Sequence, residues 1–363
     1  MPEFLIAIEN MSILGHLIES HYSLKAMQSP LFSVVIPTIN RIEEIQDTLK
    51  SLCQAKKNHH VEIILVDDCS GNDLALSSEL VSNITLNYIK NPSRQGPGNS
   101  RDIGVRASAG DVICFVDSDD LVEINYFDVL AANISNRPNY TSIQFGSRDL
   151  VKNHSRDGQE YISSTVRKSE PIPGFFSRQY LVSFLSGNFP CECWQIAVNK
   201  KFYIQNEFCF PEGIHEDIEY WFAISTMSRG NVFIDLPLYN KVRTNGSIVN
   251  TLSCRHIDYY FRALNNVISL SAKVDPEVVE LTILPVLNVA GSRLRRIKSR
   301  SVELIDSSFL MEEAICQNIK ALYFNHFASC GIDLLELLAS YGPKTRFQEE
   351  ILFLSKIILK YTI

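Results

Sequence analysis

Val112-Ile113-Cys114-Phe115-Val116-Asp117-Ser118-Asp119-Asp120 runs five apolar residues straight into three carboxylates. A short unbroken apolar run reads as a strand buried on both faces, because a strand with one wet face alternates instead. Two upstream stretches have the same form: Phe32-Ser33-Val34-Val35-Ile36, and Val61-Glu62-Ile63-Ile64-Leu65-Val66, which ends in Asp67-Asp68. Between them lies a polar-flanked helical segment from about Glu43 to Gln54. A short strand over Leu86 to Lys90, a Gly-rich turn and a helix from about Asn99 to Ser108 lead back to Val112. Strands alternating with helices imply an α/β fold with a mostly parallel central sheet flanked by helices. Ligands of such sheets bind beyond the carboxyl ends of the strands, so the two acidic clusters are the first places to look for chemistry.

Beyond this core the pattern changes. Thr141 to Phe145 and Tyr161 to Val166 read as β runs around the polar, hairpin-like Asn153–Gly158, and a helix is expected from about Glu216. After about Leu252 apolar residues recur at three- and four-residue spacing with few glycines, which predicts a C-terminal helical domain. The expected organisation is a helical extension over residues 1–30, ending before Ser29-Pro30, then 31–150, 151–252 and a helical 253–363.

With 363 residues, 45% hydrophobic and 21% charged, the chain has the composition of a folded globular protein of about two domains. A net charge of −7 argues against nucleic acid as the main partner, which would require a dense basic face. Nine cysteines without framework spacing suit reduced thiols. The N-terminal stretch lacks a basic lead-in and is not expected to be a secretory signal, and no span has the length of a membrane helix. The expected location is the cytoplasm, with the inner face of the plasma membrane as the place where a lipid-linked substrate is met.

Asp117 and Asp119 would leave the sheet on its first turn and repel each other unless a cation sits between them. Oxygen-only donors suit Mn²⁺ or Mg²⁺ shared with phosphate oxygens. The alternative is a solvated loop with Asp120 capping a helix. Asp67-Asp68 is similarly either a turn with Ser70 and Gly71 or a carboxylate that accepts from a base N–H or ribose hydroxyls.

The ordered segments Ser33 to Asn40, Ile64 to Ser70, Gln95 to Gly104 and Phe115 to Asp120, with Phe210-Pro211-Glu212-Gly213-Ile214-His215-Glu216-Asp217-Ile218-Glu219, resemble the family 2 glycosyltransferases of the GT-A fold. The resemblance covers roughly residues 31–250 and leaves the helical third uncovered. It implies that 31–150 is a nucleotide-sugar-binding half, that 151–252 is an acceptor-binding half, and that transfer is inverting. By residue, it places Pro37 and Ile39 in the base-contacting loop, Asp68 on the base, Arg101 beside the nucleotide, and Asp117 with Ser118 at the ribose. Asp119 is the implied metal ligand, Asp217 of Glu216-Asp217 the general base, and Trp194 an acceptor-site aromatic. Two positions depart from the family pattern: Ile39 stands where an aromatic is usual, and Asp102 follows Arg101 where Asn is usual.

Arg243 reads either as a further cation for the diphosphate or as a surface turn cation. The Gln95–Gly98 turn and the segment Arg243–Ser247 are candidate closing loops. Trp194 reads equally as core, His215 as structural, and Cys191-Glu192-Cys193 as packing, since no second ligand pair has zinc spacing. Arg293, Arg295, Arg296, Lys298 and Arg300 form a basic cluster, either a solvated helix face or a contact for anionic lipid or acidic glycan. Phe347, Ile351, Leu354, Ile358 and Tyr361 at helical spacing predict a last helix that packs on the body or on another copy of the chain.

The expected function is transfer of a hexose or N-acetylhexosamine from a UDP-linked donor to a hydroxyl of an oligosaccharide or lipid-linked acceptor in surface-polysaccharide synthesis. The competing reading is a non-catalytic nucleotide- or glycan-binding subunit on the same fold.

Overall fold

The computed structural model describes residues 31–72, 76, 82–155, 158–167, 170–189, 191–243, 253–300, 305–328 and 333–360. The expected N-terminal extension, Thr244–Ser247 of the second candidate loop and Tyr361 lie outside them. The chain forms two compact units. One gathers the described residues up to Gly174 with Glu192–Glu212 and those from Ser228 to Arg243. The other gathers those of 175–191, Gly213–Met227 and those from Ser253 onward.

The first unit is built on one sheet. Its strands are β1 (Phe32–Thr38), β2 (Val61–Asp67), β3 (Thr85–Lys90), β4 (Val112–Phe115), β5 (Leu121–Val122), β6 (Ser142–Ser155), β7 (Gly158–Arg167), β8 (Ile196–Asn199) and β9 (Asn231–Arg243). They run in the order β3-β2-β1-β4-β8-β6-β9-β5, with β7 paired to β6. All seven residues of β1 are buried, as its unbroken apolar run requires, and β2 and β4 flank it in parallel register. Three helices accompany this half: α1 (Glu44–Lys56), α2 (Pro97–Ala107) and α3 (Tyr126–Asn136). Helix α2 rides so close to β1 that a Cβ on Gly104 would fall 2.3 Å from Val35 Cγ1. Glycine is therefore required there by helix–strand approach.

The expectation of a mostly parallel sheet needs correcting: the sheet is mixed. β1, β2, β3 and β4 pair in parallel, as do β6 and β9. β8 is antiparallel to both β4 and β6, and β5–β9 and β6–β7 are antiparallel as well. The strand–helix alternation visible in the sequence ends at β4, and β6 and β7 pair in antiparallel register out to Ser155 and Gly158.

The second unit is helical. It comprises α4 (Arg178–Leu185), α6 (Glu216–Met227), α7 (Cys254–Val274), α8 (Val278–Arg300), α9 (Ile305–Leu322), α10 (Leu334–Tyr341) and α11 (Gln348–Lys360), while α5 (Lys200–Gln205) belongs to the first unit. Its core draws on Phe261, Leu264, Val267 and Ile268 of α7 with Leu294 and Ile297 of α8. Phe347 and, on α11, Ile351, Leu354 and Ile358 are buried, so the last helix packs on its own unit. A Cβ on Gly291 would lie 2.3 Å from Phe347 Cβ, which shows how closely α8 approaches this segment. Among the described residues no helix is long and apolar enough to cross a membrane.

Candidate active site

The ends of β2 and β4 carry the two acidic clusters, but they use them differently. Asp67 caps its own turn: Oδ1 accepts from Ser70 N at 2.9 Å, and Oδ2 accepts from the Tyr88 hydroxyl at 2.8 Å. Asp68, the expected base-binding carboxylate, is 4% exposed and organises the Gly-rich turn. Its Oδ1 accepts from Gln95 N at 2.6 Å and Asn91 Nδ2 at 3.0 Å, and its Oδ2 from Gly96 N at 2.8 Å. Gly96 has φ +87°, a conformation only glycine adopts freely, so the turn's sequence and the carboxylate that holds it belong together.

Around β4 the three carboxylates have three environments. Asp117 is held by two cations: Arg101 Nη2 donates to Oδ1 at 2.8 Å, and Lys241 Nζ stands 3.3 Å from Oδ2. Burial works against its ionised form, yet Lys241 and Arg101 hold the carboxyl below the ordinary carboxylate range. Asp120 is fully enclosed. Its Oδ2 accepts from the Tyr239 hydroxyl at 2.7 Å and Lys241 Nζ at 3.0 Å, and its Oδ1 from Val242 N at 2.8 Å. Burial, which Lys241 opposes and Asp117 and Asp119 reinforce, pushes this carboxyl up to about 7. Lys241, for its part, is kept charged against burial by Asp117, Asp120 and Asp119. Asp119 is half-buried, and burial raises its carboxyl despite Lys241. Its ion pair among the described residues is with Arg41, at 3.6 Å.

Ligand atoms of Asp117, Asp119 and Asp120 lie within 4.8 Å of one another. The set is all oxygen, the chemistry that Mg²⁺ and Mn²⁺ take. Asp120 is engaged by Tyr239, Lys241 and a backbone amide and Asp117 by two cations, whereas Asp119 has the looser ion pair, to Arg41 at 3.6 Å. The residues present fit a divalent cation held through Asp119.

The remaining candidates divide between the units. Pro37 is buried in β1 and Ile39 is half-exposed just beyond it; Ser118 is buried. Trp194 is 3% exposed and lies flat on Tyr239, and Lys241 Nζ is 5.9 Å from its ring. It therefore supports the Asp120 network from within the core. Arg243 Nη2 donates to Asp149 Oδ2 at 2.9 Å, where Arg167 also pairs at 3.1 Å, so in this state it is tied to β6. Asp102, the departure on α2, accepts from Phe210 N at 3.1 Å and Tyr203 OH at 3.1 Å, which anchors the segment before Gly213. In the second unit, Glu216 is buried and Asp217 half-buried at the first turn of α6. Lys241 and Tyr239 belong to the site although the sequence reading does not single them out. Their signal is the period-two alternation of Tyr239, Lys241 and Arg243 along one face of β9.

Residues 33–205 match the family model described as Glycosyl transferase family 2. Those residues, just under half of the chain, are similar in sequence to a family 2 glycosyltransferase domain. An uncharacterized glycosyltransferase of Haemophilus influenzae is 26% identical over 175 residues, 48% of this chain and 55% of that protein, so the chain spans about half of that relative. The chain is also 22% identical over 343 residues to the GalNAc(5)-diNAcBac-PP-undecaprenol beta-1,3-glucosyltransferase of Campylobacter jejuni, covering 90% of this chain and 97% of that one. The crystal structure of residues 1–349 of TarS from S. aureus, in complex with UDP-GlcNAc, superposes with a TM-score of 0.60 at 17% identity over 92% of this chain and 91% of that one. At that identity the likeness speaks for the fold, and the chain has the GT-A fold with a C-terminal helical region.

Proposed function

We propose that this chain is an inverting, metal-dependent glycosyltransferase that moves a hexose or N-acetylhexosamine from a UDP-linked donor to a hydroxyl of a bacterial surface glycan. The observation that carries this reading is Asp119 just beyond β4, met by Arg41 at 3.6 Å, while Arg101 and Lys241 neutralise Asp117 beside it. The family match and the two relatives, one named for a polyprenol-linked acceptor and one crystallised with UDP-GlcNAc, support it.

Residues 31–150 bind the donor in this reading and 151–252 the acceptor. Asp68 fixes the Gln95–Gly96 turn beside the nucleotide, Pro37 and Ile39 border the base, and Asp117 and Ser118 meet the ribose. Asp119 would hold the divalent ion, which when bound supplies charge neutralisation for the departing diphosphate. Asp217 takes the proton of the acceptor hydroxyl as its oxygen attacks the anomeric carbon from the face opposite the diphosphate. Trp194 and Lys241 act through the Asp120 network; Arg243 would join the diphosphate only by leaving Asp149. The work is placed in the cytoplasm, at the inner membrane face where the acceptor is lipid-linked.

The test is UDP release from a panel of UDP-sugars with Mn²⁺, Mg²⁺ or EDTA. Selective release that EDTA abolishes is the expected result. No release and no donor binding under any condition would favour a non-catalytic binding subunit.

A further inference from the structure

The basic cluster of the sequence enters α8, and its members separate there. Arg295 makes two hydrogen bonds to Glu350, at 2.8 and 3.0 Å. Arg293, half-buried, has no carboxylate partner among the described residues. Its guanidinium lies over the Tyr260 ring, 4.4 Å from the centroid. His215 meets the same ring edge-on at 5.1 Å and stands 5.9 Å from the ring of His256. The Nε2 atom of His215 is buried with no hydrogen-bond partner among the described residues.

This corner is held firmly by the backbone. His215 has φ +66° and Gly213 φ +113°, and a Cβ on Gly213 would fall 1.9 Å from Tyr259 Cε1, so the strap before α6 is pinned against α7. Burial, Arg293 and His256 together push His215 down to about 4. An imidazole behaves this way when burial, and then neighbouring positive charge, disfavour its protonated form. Leaving a buried ring nitrogen unsatisfied is costly, and the Arg293 guanidinium, which hydrogen-bonds the Tyr260 hydroxyl, is a donor set that an anion's oxygens would strengthen.

We propose that Arg293, His215 and His256 bind a phosphate group carried by the acceptor glycan. Phosphate offers the several oxygens that a guanidinium fork and two imidazoles address at once, where a carboxylate offers only two. The site lies two residues before Asp217, so the inference deepens the function proposed above and rests on its assignment of Asp217 to the acceptor.

The full chain, with ¹⁵N-labelled histidine, is titrated with inorganic phosphate, dimethyl phosphate and acetate at constant ionic strength, following the His215 ring by NMR. Dimethyl phosphate stands in for a glycan phosphodiester. Both phosphates are expected to shift His215 and raise its pKa, with acetate far weaker. Arg293→Gln should weaken both phosphate titrations about tenfold, and Arg293→Lys less, with thermal melts confirming that the variants fold. No shift up to about 10 mM, the range of weak anion binding, would overturn the proposal. So would equal shifts with acetate, a shift unchanged in Arg293→Gln, or binding of inorganic phosphate alone. UDP-sugar binding is measured separately: its failure with the phosphate shift intact removes the donor assignment and leaves the site, and the reverse outcome removes the site alone.

Discussion

Trp194 lies flat on Tyr239, with ring centroids 4.2 Å apart and planes inclined by 14°. The stack fixes the Tyr239 ring, whose hydroxyl donates to Asp120 at 2.7 Å and accepts from Asp117 N at 3.0 Å. An aromatic expected to meet substrate thus lies buried, one layer behind the acidic cluster. Trp194→Ala should cost about 3–5 kcal/mol of stability, as for other buried aromatics, while Trp194→Phe costs less; urea denaturation of both decides it.

Tyr239→Phe keeps the stack and removes the hydroxyl alone. Asp120 Oδ2 then retains only Lys241, and Asp117 N loses its acceptor, both in buried surroundings. A loss of about 1–3 kcal/mol is expected, with donor binding weakened because Asp117 is no longer held from behind. Equal stability and affinity in the variant would show the hydroxyl to be idle.

Asp68→Ala should loosen the Gln95–Gly96 turn. Three donors lose their acceptor, two of them backbone amides. Amide hydrogen exchange at Gln95 and Gly96 should quicken, and UDP affinity should fall, because the turn borders the nucleotide in the proposed site.

Asp119→Asn and Asp217→Asn should separate binding from chemistry. Asp119→Asn is expected to lose the metal-dependent part of UDP-sugar binding. Asp217→Asn should bind donor normally yet lose about 10²–10⁴-fold in kcat, the usual contribution of a general base. Near wild-type transfer by Asp217→Asn would remove it from that role.

Asp102 gives a pH prediction. Burial, which the Phe210 amide and Tyr203 oppose, raises its carboxyl from an ordinary 3.8 to about 6. Between those values the folded protein keeps a proton that the unfolded chain releases. The stabilisation is therefore complete below about pH 3.8 and lost as pH rises through about 6. At about 1.4 kcal/mol per pH unit the ceiling is about 3 kcal/mol. Asp102→Asn should flatten the fall in stability across that window, read from denaturation midpoints at a series of pH values.

Much of the sheet's parallel part is legible in the amino-acid sequence. β1, β2 and β4 are strands whose burial follows from unbroken apolar runs, and Asp117 and Asp119 leave the sheet where the β4 run ends. Residues whose roles depend on partners are not legible in the same way. Asp68 has the composition of a ligand carboxylate, and only the turn folded over it shows that its oxygens serve Gln95 and Gly96. Arg243 reads as an available cation, and only the adjacent β6 reveals Asp149.

What the sequence determined by itself is local: strand and helix periods, the glycine at Gly104, the acidic strand ends and the helical spacing of Ile351, Leu354 and Ile358. These follow from backbone geometry repeated over a few residues. The tertiary structure decided the antiparallel insertion of β8, the stacking of Trp194 on Tyr239 and the division of labour among three adjacent carboxylates. Asp120 meets Lys241 across 121 residues of chain. No local period encodes that distance, and which carboxylate is neutralised depends on which strand brings the ammonium to it.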